Sequence, residues 1–179
     1  MESQFLYKAW ANKRFLDEIE KIDQAKYSDI LLKATRLLNH TYVVDNIFVA
    51  HLANKSHSYA ATNTQDTPSI KDLRQSVQKT DEWLVQFSKN VSSSELGKTI
   101  RFTFTDGDLG VMSVRDILNH LVIHGAYHRG NIGMLLTDCG IPMPNDTFTG
   151  TNKVRLCEQS EPQSEPSVGQ ARRRCSALL

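Results

Sequence analysis

The sequence predicts an all-α protein: a four-helix bundle with a small β-hairpin between the third and fourth helices and a disordered C-terminal tail. Three observations carry this prediction. Four segments of roughly 20 to 27 residues repeat apolar side chains at helical spacing. A single short stretch, "TIRFTF", alternates in the manner of a strand. Beyond Pro144 the apolar pattern stops. The domain boundary is accordingly set at 1–148 for the bundle and 149–179 for the tail.

The first helix is expected from about Ser3 to Ile22, where Phe5, Trp10, Phe15, Leu16, Ile19 and Ile22 share one face. The second is expected from an N-cap at Ser28 to about Asn54, through Ile30, Leu31, Leu37, Leu38, Val44, Ile47 and Phe48. A polar connection, "KSHSYAATNTQDTP", follows. The third helix opens at Ser69 on the capping-box-like "SIKD" and runs to about Asn90 through Leu73, Val77, Trp83, Leu84 and Phe87. Residues 98–112 read as the hairpin, with its turn at Asp106-Gly107. The fourth helix opens at Ser113 on "SVRD" and ends near Cys139, with Gly140 as a stop and Pro142 beyond it. The end of the chain, rich in Ser, Gln, Glu and Pro and then basic, lacks the apolar residues needed to bury anything.

Composition removes several function classes. The 179 residues carry 21 basic and 20 acidic side chains, so no basic excess points to nucleic acid. No apolar run approaches the roughly 18 residues of a membrane span. The N-terminus carries charges where a secretion signal would be apolar. Three cysteines without C-x-x-C spacing fit a reducing cytoplasm better than a disulfide framework.

The chemistry is concentrated in "NHLVIHGAYHRGN", residues 119–131, which holds three of the six histidines at His120, His124 and His128. Each step of four residues turns a helix position by only about 40°, so the three form one stripe. Two histidines one turn apart can share a metal ion, but the outer pair lies about 12 Å apart along the axis. At most two of the three can therefore bind the same ion. The segment is not H-E-x-x-H: Leu121 and Gly125 stand where a catalytic glutamate would follow each histidine. A further ligand has to come from another helix. The second helix offers His40 in "LLNHTYVV", on an apolar stripe, whereas His51 lies near that helix's end and His57 in the polar loop. A lone helical histidine is most often a surface or satisfied core group; a pair on one core helix facing a third on another is the way bundles build metal sites.

"LLNHTYVVDNIFVAHL" at 37–52, "LNHLVIHGAYHRGNIGMLL" at 118–136 and the opening "YKAWANKRFLDEI" together resemble the DinB-like (DinB/YfiT-like) family of bacterial bundle proteins, over about residues 3–145. The resemblance implies one divalent metal held by His40, His124 and His128. It implies zinc or nickel first, with iron or manganese as alternatives. His120 matches a position that is often histidine without being a ligand. His120, Tyr127, Arg129 and Asn39 are the implied site-lining or supporting residues, Arg129 being either structural or at the site mouth, and Gly130 is expected to let helices approach. Tyr127 replaces a histidine common in the family, and Asn131 a glutamine.

Three imidazoles leave the metal its full charge and an open position, the pattern of catalytic rather than structural zinc. The resemblance implies either a hydrolase using metal-bound water or a thiol-dependent S-transferase or isomerase using a low-molecular-weight thiol such as bacillithiol or mycothiol. A small-molecule substrate and a homodimer follow from the same likeness. The competing class is a non-catalytic metal-binding stress-response bundle acting through protein partners.

Overall fold

The computed structural model describes residues 1–151. The tail prediction therefore lies, for residues 152–179, outside the described residues. Met1–Asp146 form one compact unit, and a second begins at Thr147. Its elements are α1 (Glu2–Ile19), α2 (Gln24–Leu52), α3 (Ile70–Asn90), α4 (Ser93–Leu96), β1 (Thr99–Thr103), β2 (Leu109–Ser113) and α5 (Val114–Asp138). The four long helices are those expected. They pack in a ring in which α1 neighbours α3 and α5, and α2 neighbours α5 and α3. Among the described residues, no helix is long and apolar enough to cross a membrane.

Caps set most of the helix ends. Ser69 and Ser113 each accept a hydrogen bond from the backbone N–H three residues on, at Asp72 and Asp116, satisfying one of the orphan donors of the first turn. The start of α2 differs from expectation. Its N-cap lies five residues earlier, at Asp23, which accepts from Ala25 and Lys26, and the helix is kinked at Tyr27 (φ −129°, ψ 38°). Ser28 thus follows the kink instead of starting the helix. The helix α4 was not expected either. Ser92 and Glu95 close a reciprocal capping box around a single turn, too short to show periodicity.

The hairpin has the expected position. Thr99 pairs with Ser113 and Thr103 with Leu109, antiparallel. Gly107 at the turn has φ +98°, a region that side chains with a Cβ rarely adopt.

The core is divided in two along the bundle. One apolar cluster contains Phe5, Val44, Phe48, Leu84, Ile117 and Leu121; the other contains Phe15, Leu38, Leu73, Val77, Ile132 and Leu136. Between these positions each long helix contributes buried polar residues: Lys8 and Asn12 from α1, Thr41 and Asp45 from α2, Asp81 from α3 and Arg129 from α5. The ammonium of Lys8 donates to Asp45 (2.6 Å) and Asp81 (2.9 Å). Asn12 donates to both oxygens of Asp81, and Arg129 donates to Asn12 (2.9 Å) and to Asp146 through two nitrogens (2.9 and 3.3 Å). Charged groups out of water persist only when paired in this way.

Gly125 makes room for this layer. A Cβ at that position would lie 3.0 Å from an Arg129 nitrogen and 3.4 Å from Lys8 Cε. The close approach expected of Gly130 is therefore made by Gly125 instead; a Cβ at Gly130 would meet open space.

Candidate metal centre

The two helices that bear the histidines, α2 and α5, pack side by side. On α5, Gly125 and Arg129 face the buried polar layer. The adjacent positions 124 and 128, one turn apart, are thereby directed towards α2 at His40. One nitrogen from each of His40, His124 and His128 lies within 4.8 Å of the others. The Nε2 atoms of His40 and His124 are 3.1 Å apart. This is near the ~3.3 Å edge of a tetrahedral site with Zn–N bonds of about 2.0–2.1 Å. Ring centroids are 4.7 Å apart for His40 and His128, and 4.5 Å for His124 and His128.

His40 is the pre-oriented member. Its Nδ1 lies 2.7 Å from the carbonyl oxygen of Thr62. A carbonyl only accepts, so Nδ1 carries the hydrogen and Nε2 presents its lone pair to the cluster. Asn39 acts one step further out. Its amide donates to Asn63 and, at 2.7 Å, to Thr64, anchoring the loop that supplies Thr62. Among the described residues, the Nδ1 atoms of His124 and His128 are buried without a hydrogen-bond partner, so none of these residues' carbonyls or carboxylates fixes the tautomer of either ring.

The electrostatics favour the neutral form of two of the three donors. Burial, and then the imidazoles of His128, His40 and His120 together with Lys8, lower the pKa of His124 to about 3. Burial and then His40 lower that of His128, and burial alone lowers that of His120. A neutral imidazole has a free lone pair, the form a metal requires. The residues present thus fit a divalent cation: three convergent imidazole nitrogens and, among the described residues, no acidic ligand in the cluster.

The other expected site residues divide. His120 stands outside the convergent set, stacked on His124 at 5.2 Å and packed near Phe48 at 5.4 Å. Tyr127 is 67% exposed and lies edge-on to His128 at 5.1 Å. Arg129 is not at the site mouth. It is 1% exposed and points the other way, into the polar layer beneath the ligand-bearing turn. Lys8, Asn12, Asp45, Asp81 and Asp146, which complete that layer, were not singled out from the sequence. The available signal was the interruption of the apolar stripe of α1 by Lys8 and Asn12, four residues apart.

A pH dependence follows. Unfolded His124 takes up a proton near the ordinary value of about 6.5, whereas folded His124 resists protonation until about pH 3. Its contribution is fully present above about 6.5 and is lost as pH falls towards 3. Asp45 opposes this, because burial first, and then the like charge of Asp81, outweigh Lys8 and raise its pKa to about 6. Chelator-treated protein should therefore lose stability between about pH 7.5 and about pH 5 by an amount that shrinks in His124→Phe. Urea midpoints at the two pH values test this, and an identical loss in both proteins would contradict it.

Residues 2–165 match the DinB family. The chain is 21% identical to Protein DinB of Bacillus subtilis (strain 168) over 143 residues, which is 75% of this chain and 83% of that protein. No solved structure matches significantly. By its sequence over almost its whole length, the chain belongs to the DinB family.

Proposed function

We propose that the chain is a divalent-metal enzyme with an open three-histidine site, acting as a thiol-dependent S-transferase on a small electrophile. The convergence of His40, His124 and His128 without an acidic partner is the observation that carries this reading. A metal bound there would stabilise a thiolate, or acidify a water, through its uncompensated charge. Zinc or nickel suits an all-imidazole set best, with iron or manganese as alternatives.

The protein's own groups hold and orient. Thr62 sets the ring of His40, Asn39 holds the loop that carries Thr62, and the polar layer under Gly125 supports the turn between His124 and His128. Among the described residues, no carboxylate lines the recess beside the cluster. Thiol transfer is favoured on that account, because a thiolate once formed needs no general base. Hydrolysis is the second reading. It is supported by His120, whose neutral imidazole, stacked on His124, offers a proton acceptor. We assign the protein to a reducing cytoplasm from its cysteine usage; Cys139 is a free thiol.

The test uses untagged protein, 1-chloro-2,4-dinitrobenzene as electrophile, and N-acetylcysteine, bacillithiol or mycothiol as thiol. Conjugation that needs protein, is abolished by a chelator and returns with zinc or nickel is the expected result. Chelator-sensitive hydrolysis of 4-nitrophenyl acetate without thiol would move the assignment to hydrolase. Tight metal binding with neither activity would overturn the enzyme reading in favour of a non-catalytic metal-binding bundle.

A further inference from the structure

We infer that the recess beside the histidine cluster binds the uncharged, compact and largely apolar part of the substrate. The inference rests on the metal-site reading and adds the substrate class. The recess has a volume of about 300 Å³, at the small end for ligand sites and suited to about ten non-hydrogen atoms. Val44, Ile47 and Phe48 of α2 form one wall, and Phe102, Phe104 and Met112 of the hairpin form the other. His40 and His124 reach it from the cluster, with His120 beside them.

The hairpin wall is a built feature. Phe102 meets Phe48 edge to face at 5.5 Å and Phe104 at 4.9 Å. Both hairpin rings lie across Gly110, where a Cβ would come within 2.5 Å of Phe102 and 2.9 Å of Phe104. Glycine at this position is what lets the two rings close over the recess.

The chemistry of the lining selects the ligand. Among the described residues, no aspartate, glutamate, lysine or arginine lines the recess; the polar contributions come from histidine and threonine. In the metal-free protein a carboxylate or ammonium group entering here would lose its hydration without gaining a counter-charge from a side chain. Lys33 and Arg36 line a separate, open groove that also includes His40. The guanidinium of Arg36 is in any case occupied by Thr67 and by the carbonyls of Gln65 and Thr64. Apolar walls next to an imidazole cluster therefore suit an uncharged aromatic or aliphatic group whose reactive atom faces His40 and His124.

Indole serves as the probe and indole-3-carboxylate as its charged counterpart, each titrated into the chelator-treated, untagged full chain by calorimetry, with zinc uptake measured separately on the same preparations. Indole should bind at least about tenfold tighter than the carboxylate. Met112→Trp, which fills the recess, should weaken indole by about tenfold or more, and Phe104→Ala, which removes a partly exposed wall, by severalfold. Thermal melts identify any variant that fails to fold, and Phe104→Ala at the 43%-exposed edge keeps the test open if Met112→Trp does. Equal binding of the two probes, or unchanged indole affinity in a folded variant, would overturn the inference. Zinc uptake without indole binding would remove the recess alone. Indole binding without zinc uptake would leave the recess as a ligand site and remove the metalloenzyme reading.

Discussion

His40→Ala, His124→Ala and His128→Ala are each expected to lower zinc affinity by at least ~100-fold, while His120→Ala changes it far less. The reasoning is geometric. The first three contribute nitrogens within 4.8 Å of one another, so losing one leaves only two ligands and, among the described residues, no acidic group in the cluster to substitute. His120 only stacks on His124 and lies outside the convergent set. Asn39→Ala should fall between these limits, at roughly tenfold, because it acts through the loop that orients His40. Competition against a chromophoric chelator reads all five, with circular dichroism confirming the helices. The decisive contrast is between His120 and His128, each one turn from His124. An equal loss in the two variants would mean that the ion is bound elsewhere on the stripe.

That contrast also marks how far the sequence could be read. The bundle was legible because Phe5, Phe15, Leu16 and Ile19, and their counterparts on the other helices, repeat at helical spacing and prove to be buried. Ser69 and Ser113 could be recognised as caps because a cap is a local interaction. The histidine stripe was visible for the same reason. Which two of its members meet His40 depends on how far α2 and α5 are offset along their axes. That is a tertiary quantity, and spacing within one helix does not contain it; only the family resemblance singled out His124 and His128. The polar layer was missed for a related reason. A search for apolar periodicity treats Lys8 or Asp45 as interruptions, and only the packed bundle reveals that interruptions on four helices meet at one level. Asp146 lies beyond the end of α5, and nothing local marks it as the partner of Arg129.

Lys8→Met tests that layer and is expected to destabilise the protein by about 3–5 kcal/mol at neutral pH. For a chain of this size that corresponds to a fall in Tm of roughly 6–20 °C. Methionine preserves the length and most of the volume of the side chain, so the loss reports charge and hydrogen bonding instead of a cavity. Lys8 is fully buried between two carboxylates that are themselves almost fully buried. Burial alone would lower its pKa, but Asp45 and Asp81 together raise it, so the ammonium stays charged. Without it, Asp45 and Asp81 lose the ammonium between them, and only the coulombic pull of Arg129 on Asp45 remains. Asp45 is the group that yields. Its pKa is already raised to about 6 with Lys8 present, against about 3.9 for an unperturbed aspartate, and removing Lys8 raises it further. Folded Lys8→Met then binds a proton before the unfolded chain does, so the deficit should narrow as pH falls from about 7 towards about 4. Lys8→Met/Asp45→Asn should recover part of the loss at neutral pH, because removing both partners costs less than leaving one buried charge alone. Thermal melts of the three proteins at two pH values separate these effects. The layer also underlies the ligand-bearing turn: Lys8 Cε and Arg129 Nη1 fill the space beside Gly125, between His124 and His128. Lys8→Met should consequently weaken zinc binding even where the protein remains folded. A variant that kept both its Tm and its zinc affinity would show that apolar packing at the two ends of the bundle is sufficient to hold the histidines together.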